Sequence, residues 1–277
     1  MASFRLLALA VAVAACNSTT QTPAPASACP DAANRPDATV DATTDGGGAT
    51  ESDGGAPFNV LLFSRTAGFR HESIPTAIAQ LMGLQATGGY VAEATEDPTQ
   101  FSPDNLARFQ VVVFLLTTGD VLDDDQQAAF EAWIGAGGGY VGVHSAADTE
   151  YDWPFYGALV GAYFLGHPAI QQASVDIEVA DHPADNPIIG LPTPWVRTDE
   201  WYNFQTNPRP NVTVLATVDE STYTGGTMGA DHPITWSHPT GGGGRAFYTA
   251  MGHTDESYCD PLFRHLLVGA LRWAAGR

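Results

Sequence analysis

Lysine is absent, and all eleven basic residues are arginine. Without a lysine amine the chain cannot form a Schiff base with a carbonyl substrate or supply the ammonium of a phosphate-binding loop. Two large enzyme classes therefore drop out. Positive charge is scarce altogether: the arginines face 31 acidic residues, for a net charge of -20. Such a surface repels phosphate backbones and anionic headgroups, so nucleic acid is not an expected partner. Cysteine is limited to Cys16, Cys29 and Cys259, with no CxxC pair on which to build a zinc–sulfur site. What the chain does have is apolar material, 44% hydrophobic and 10% aromatic. That is enough to bury a core and excludes a wholly disordered chain.

Residues 1–15 read as an export signal, with Arg5 followed by an apolar run from Leu6 to Ala14. The run is far shorter than the roughly 20 residues that a spanning helix needs. It ends in Val13-Ala14-Ala15-Cys16, which resembles a bacterial lipobox in which the cysteine thiol becomes diacylated. Cys16 is thus the expected lipidation site, the alternative being ordinary secretory cleavage that leaves an incidental thiol. Asn17 is not the aspartate that retains some lipoproteins at an inner membrane. The expected location is the outer membrane of a Gram-negative bacterium, touched only through the lipid anchor.

Residues 17–56 are dominated by Ala, Gly, Pro, Ser and Thr, with no aromatic residue. Such a composition cannot bury a core, and residues 16–56 are expected to form a lipidated cysteine and a disordered linker. The four-residue spacing of Asp37, Asp41 and Asp45 does not match the alternating ligands of a calcium loop. Cys29 in this linker could pair with Cys259 in an oxidising compartment, though their spacing does not demand it.

Residues 57–277 form the expected single domain and contain all eight histidines. Asn59-Val-Leu-Leu-Phe-Ser64 and Gln110-Val-Val-Val-Phe-Leu-Leu116 are almost unbroken apolar runs, as in strands buried on both faces. Between them Ser73 is placed to cap a helix with Pro75 in its first turn and Ile74, Ile78, Leu81 and Met82 on one face, and residues 90–95 alternate like a short strand. A second helix begins at Asp123–Asp125 and packs Phe130, Trp133 and Ile134. Tyr140-Val-Gly-Val-His144 follows as a strand. This βαβ alternation predicts an α/β fold with a doubly wound, mostly parallel sheet. Later strands at 175–179, 212–218, 234–237 and 245–251 return in close succession and predict an antiparallel extension, before a final helix near 261–275. There is no internal repeat at a fixed period, and nothing in the sequence assigns an oligomeric state.

In open parallel sheets ligands collect beyond the carboxyl ends of the strands, so polar residues just after those strands carry most weight. Three segments qualify: Arg65-Thr-Ala-Gly-Phe-Arg-His71-Glu-Ser, Gly142-Val-His144-Ser-Ala-Ala-Asp148 and Met251-Gly-His253-Thr-Asp-Glu256. A lone histidine at a strand end often only satisfies backbone carbonyls. These three segments, taken with His167-Pro168, Asp199-Glu-Trp-Tyr202 and His232-Pro-Ile-Thr-Trp236, resemble the ThuA-like, or trehalose-utilisation, family over residues 58–276. The resemblance implies a flavodoxin-like three-layer sandwich similar to class I glutamine amidotransferases, and a role in disaccharide utilisation.

Histidine, at His144, stands where amidotransferases present a cysteine nucleophile on a sharp strand-to-helix turn. A glutaminase thioester mechanism is then unavailable, and no amidotransferase activity is expected. His253 resembles the general-base histidine of those enzymes. The resemblance therefore implies His144 and His253 as acid and base on a small carbohydrate; Glu200 or Asp199 could supply a carboxylate to hold an imidazole, and Glu200 is the expected helper. The expected substrate is a disaccharide or its keto derivative. Trp201 and Tyr202 could form a platform for a sugar face, although the Asp-Glu-Trp-Tyr run reads equally well as an alternating strand. Arg70, His71, Asp148 and His167 complete the candidate substrate contacts. The aromatic cluster of Tyr151, Trp153, Phe155 and Tyr156 reads as packing, and Gly241–Gly244 as a hairpin tip. Two alternatives stand beside the enzyme: a non-catalytic carbohydrate-binding lipoprotein, and a hydrolase using a divalent metal at His144 and His253. With no HExxH or close-spaced ligand pair, no metal or other cofactor is predicted.

Overall fold

The computed structural model describes Cys29 and residues 56–178 and 187–277. Cys16 and His182 lie outside the described residues. Strand β1 (Phe58–Phe63) is followed by helix α1 (Ile74–Gly83), a short α2 (Gln85–Gly88) and β2 (Tyr90–Thr95). Next come α3 (Pro103–Leu106), β3 (Val111–Leu115), α4 (Asp124–Gly135) and β4 (Gly139–Val143). The apolar runs became β1, β3 and β4, and every residue of β3 and β4 is buried, as strands covered on both faces require. Helix α4 starts where the acidic run placed it. The Asp123 carboxylate accepts the Gln126 N–H while the Gln126 side chain accepts the Asp123 N–H. This reciprocal box satisfies two otherwise orphaned donors and contributes about 1 kcal/mol.

The second half carries α5 (Pro154–Val160), β5 (Phe164–Gly166), β6 (Gln171–Ile177), β7 (Trp195–Asp199) and β8 (Asn203–Phe204). It continues through β9 (Thr213–Val218), β10 (Pro233–Pro239), β11 (Arg245–Thr249), α6 (Asp255–Cys259) and α7 (Pro261–Ala274). The main sheet has nine strands in the order β2-β1-β3-β4-β11-β10-β9-β6-β7, and β5 pairs with β8 in a separate ribbon. The first five strands are mutually parallel in a flavodoxin-like order, and β10, β9, β6 and β7 extend the sheet in antiparallel fashion. Helices α1, α2, α6 and α7 group together, with α7 against β4 and β11, while α3, α4 and α5 cover the other face.

This direction pattern brings the carboxyl ends of β1, β4, β11 and β7 to one edge of the sheet. Although β7 is the last strand in the pairing order, the Asp199 carboxylate at its end accepts the N–H groups of Gly252 and His253. The end of β7 therefore meets the loop that follows β11. Among the described residues no helix is long and apolar enough to cross a membrane.

Several local expectations need correction. Ser73 sits at the N-terminus of α1 but its hydroxyl does not cap the helix. Its backbone is already helical, and the Oγ–H donates to the His253 carbonyl at 2.7 Å, tying the first loop to the last. Strand β6 begins at Gln171 and not near residue 175. Trp201 is no sugar platform: its side chain is fully buried, and its indole N–H donates to the Gln171 carbonyl. Tyr202 is buried as well, so neither ring offers a free face to a sugar.

Cys29 and Cys259 form a disulfide, which ties residue 29 to the last residue of α6. Peptide mapping of the unreduced protein should recover the two cysteines in one linked peptide. Recovery of both as free thiols would contradict this pairing.

Candidate functional site

His71, His144 and His253 are each carried by a loop that leaves a parallel strand at its carboxyl end, and His167 follows β5 of the separate ribbon. His144 follows β4 directly and has a φ of 52°, a left-handed conformation unusual for a residue with a Cβ. The surrounding packing holds it there. Its carbonyl accepts the Tyr248 hydroxyl at 2.8 Å, and a 3-10 turn over His144–Asp148 begins at once. This sharp turn aims the imidazole over the sheet edge, as a strained strand-to-helix turn aims a nucleophile in other α/β enzymes. Gly252 serves His253 in the same way: its φ of 115° is open to glycine, and a Cβ there would meet the Tyr258 hydroxyl at 2.9 Å.

The imidazoles of His144 and His253 converge, with Nε2 of His144 3.1 Å from Nδ1 of His253. One carboxylate oxygen of Glu200, Oε2, lies 3.0 Å from His253 Nδ1 and 3.5 Å from His144 Nε2. The other, Oε1, lies 3.0 Å from Nδ1 of His167. His71 completes the group, its ring 4.8 Å from that of His144 and 5.0 Å from that of His253. The Tyr202 ring packs on that of His144, with centroids 4.2 Å apart and planes tilted by 34°. His144 is fully buried, His253 is one-fifth exposed and His167 is 40% exposed, so solvent reaches the cluster past the last two.

Burial and mutual charge set the protonation of the cluster. Burial alone would raise the Glu200 pKa, but hydrogen bonds and charge from His144 and His253 override it and hold the carboxyl at about 2. Burial pulls His253 down, and the hydrogen bond and charge of Glu200, with the charge of Asp199, more than reverse this, so the net shift is upward. His71 is lowered to about 3 by burial first and then by the neighbouring imidazoles of His144, His253 and His167, against the pull of Glu200. At neutral pH the site therefore holds an anionic Glu200 and a neutral His71. Asp148 is raised, chiefly by burial, against the hydrogen bond from the Tyr151 hydroxyl.

The remaining candidates lie further out. Arg70 forms an exposed bidentate pair with Glu96, so its guanidinium is engaged on the surface. Asp148 accepts the Tyr151 hydroxyl at 2.7 Å. His238 and His265 accept roles at the backbone, facing the carbonyls of Leu159 and Ile189. His232 sits between the Glu220 carboxylate and the Tyr202 carbonyl, and so supports the tyrosine that packs on His144.

Asp199, the other carboxylate that the sequence offered beside the histidines, holds no imidazole and instead supports the site from behind. Fully buried, it accepts from Arg197, Ser257 and the N–H groups of Glu200, Gly252 and His253. It thereby fixes the backbone of both Glu200 and His253. The spacing Arg197-x-Asp199 on a strand, which puts two opposite charges on one face, is the signal that points to it. One nitrogen or carboxylate oxygen from each of His71, His144, His253 and Glu200 lies within 4.8 Å of the others, a donor set of the size that can surround a divalent cation.

A sequence model of the ThuA family, described as trehalose utilisation, matches residues 59–274. Among solved structures, a ThuA-like protein from Bacteroides uniformis is 26% identical with a TM-score of 0.67, over 82% of this chain and 95% of that one. A ThuA-like protein from Parabacteroides merdae is 19% identical with a TM-score of 0.64, over 79% of this chain and 90% of that one. No curated protein matches the chain.

Proposed function

From the premise that this chain belongs to the ThuA, or trehalose-utilisation, family, we propose that it is a carbohydrate-processing enzyme acting at the histidine–glutamate cluster. The observation that carries this reading is the convergence of His144 and His253 on the Glu200 carboxylate at the ligand-binding edge of the sheet. A disaccharide, or a keto derivative of one, would enter past His167 and Asp148. His253, the more exposed member of the pair, would exchange the proton with substrate, and Glu200 would hold the charged imidazole that results. His144 stands behind it. Its Nδ1 donates to the Ala250 carbonyl at 2.6 Å, which leaves Nε2 as the basic nitrogen facing the cluster. Hydrolysis, elimination and isomerisation of a sugar all need such a proton carrier.

Export and anchoring through Cys16 belong to the same proposal. The N-terminal pattern supports them, and so does the Cys29–Cys259 disulfide, since such bonds persist in oxidising compartments. The test is to incubate the purified protein with trehalose, sucrose and their 3-keto forms and to follow products by NMR. New sugar signals that grow with time are expected for at least one of them. Binding seen as a raised melting temperature, without any product, would replace the enzyme with a carbohydrate-binding lipoprotein.

A further inference from the structure

Three imidazoles and one carboxylate, delivered by the loops after β1, β4, β11 and β7, enclose a single point. In a tetrahedral site with bonds of about 2.0–2.1 Å, neighbouring donor atoms stand roughly 3.3 Å apart. The separations among His144 Nε2, His253 Nδ1 and Glu200 Oε2 are 3.1, 3.5 and 3.0 Å, and the His71 donor lies within 4.8 Å of all three.

Counting protons shows what the hydrogen bonds alone leave unmet. The Ala250 carbonyl can only accept, so in neutral His144 the proton is on Nδ1 and the lone pair on Nε2. That lone pair faces a carboxylate oxygen and the Nδ1 of His253. A proton on His253 Nδ1 can serve either this lone pair or the Glu200 oxygen well, which leaves the other acceptor without a donor from this pair of rings. A cation at the centre satisfies all of them at once.

The groups behind the donors are arranged as metal ligands require. Nδ1 of His144 is held by a backbone carbonyl, and Nδ1 of His71 lies 3.4 Å from the Ser145 hydroxyl, so each ring can present its Nε2. Glu200 keeps Oε2 for the centre while Oε1 faces His167, and Asp199 fixes the backbones of Glu200 and His253. Such outer partners fix the tautomer and orientation of ligating histidines and carboxylates. We propose that His71, His144, His253 and Glu200 bind one divalent first-row transition ion through three imidazole nitrogens and one carboxylate oxygen. A donor set rich in imidazole suits Zn2+, Mn2+, Fe2+ or Co2+ and disfavours Mg2+ and Ca2+, which take oxygen ligands. The side toward His167 stays open for substrate. The site itself stands on geometry alone. With the ion bound, His253 Nδ1 and Glu200 Oε2 are ligands and do not carry the proton. The ion's task, polarising a keto or hydroxyl oxygen of a sugar, would then take the place of their acid–base role and rests on the proposed function only for its substrate.

The test uses the full chain stripped with chelator and titrated calorimetrically with Zn2+, Mn2+, Co2+, Mg2+ and Ca2+. One transition ion per chain is expected, with at least about 100-fold preference over Mg2+ and a rise in melting temperature. His71→Ala and Glu200→Gln should each weaken binding by about 10- to 100-fold or more, while His265→Ala, whose ring faces the Ile189 carbonyl outside the cluster, keeps one ion per chain at unchanged affinity. If a variant fails to fold, the Co2+-loaded parent protein still reports, through paramagnetically shifted imidazole N–H signals. No stoichiometric transition-ion binding by the folded parent, or a Co2+ form without shifted imidazole signals, overturns the site. Sugar turnover that survives complete chelation removes the ion's catalytic task and leaves the proposed function standing. A bound ion without turnover of any sugar leaves the site standing and removes the proposed function, and with it the ion's catalytic task.

Discussion

Replacing Asp199 by alanine should cost about 3–5 kcal/mol of folding stability, among the largest effects of any single substitution in this chain. The carboxylate is fully buried and accepts five hydrogen bonds: from Arg197 Nη2 at 2.9 Å, Ser257 Oγ at 3.0 Å, and the backbone N–H groups of Glu200, Gly252 and His253 at 2.9–3.0 Å. Its removal strands the Arg197 guanidinium, which is stacked between the rings of Trp195 and Phe263 and, among the described residues, has only the more distant Asp260, at 3.9 Å, as another anion. The three backbone donors lose their acceptor at the same time. Asn in place of Asp keeps one acceptor oxygen and should cost less. Urea unfolding monitored by circular dichroism measures both, and a loss below about 1 kcal/mol for Asp199→Ala would show that the buried charge is dispensable.

The second large effect is on chemistry. Glu200→Gln should lower turnover of the responsive sugar by about 10²–10⁴-fold, the range that a positioned acid–base group contributes. The substitution keeps shape and removes charge, so the fold should survive. It should also reverse the His253 shift in chelator-treated protein. Glu200 raises that imidazole above 6.5 against the effect of burial; with the charge gone, burial is opposed only by Asp199 and the titration should move below 6.5. NMR titration of the ring protons reads this directly, and an unmoved His253 would break the link between the two residues.

The same shifts fix how the stability of metal-free protein depends on pH. Glu200, lowered from 4.5 to about 2, contributes stability above about pH 4.5 that is lost as pH falls toward 2. His71, lowered from 6.5 to about 3, takes up its proton in the unfolded chain first, so stability also falls from pH 6.5 downward. His253, raised, contributes below 6.5 and loses that contribution as pH climbs through its folded value. The first two place the steep loss on the acid side.

Much of the parallel half was legible in the sequence because its strands are continuous apolar runs whose type does not depend on distant partners. The capped start of α4 was legible for the same reason. Strand β7 was hidden: its buried face carries Arg197 and Asp199 between Trp195 and the loop, so charge interrupts the apolar alternation that marks a half-buried strand. Strands β5 and β8, of three and two residues, are too short for any period to show. The convergence of His144 and His253 followed from their placement after parallel strands, together with the family resemblance. That His71 joins them needed the fold of the first loop, which the hydrogen bond from Ser73 to the His253 carbonyl draws inward. Trp201 misled because an aromatic beside a site carboxylate reads as a sugar platform until its burial is known.

The central claim is that the two imidazoles over the sheet edge work as one chemical unit on sugar. It is tested most directly by comparing turnover of the responsive sugar in His144→Ala, His253→Ala and the double variant, each checked for fold by circular dichroism. Groups that act as a unit are strongly non-additive, so the double variant should be about as slow as the slower single one. Rates in which the two losses multiply, or a His144→Ala protein with undiminished turnover, would contradict it.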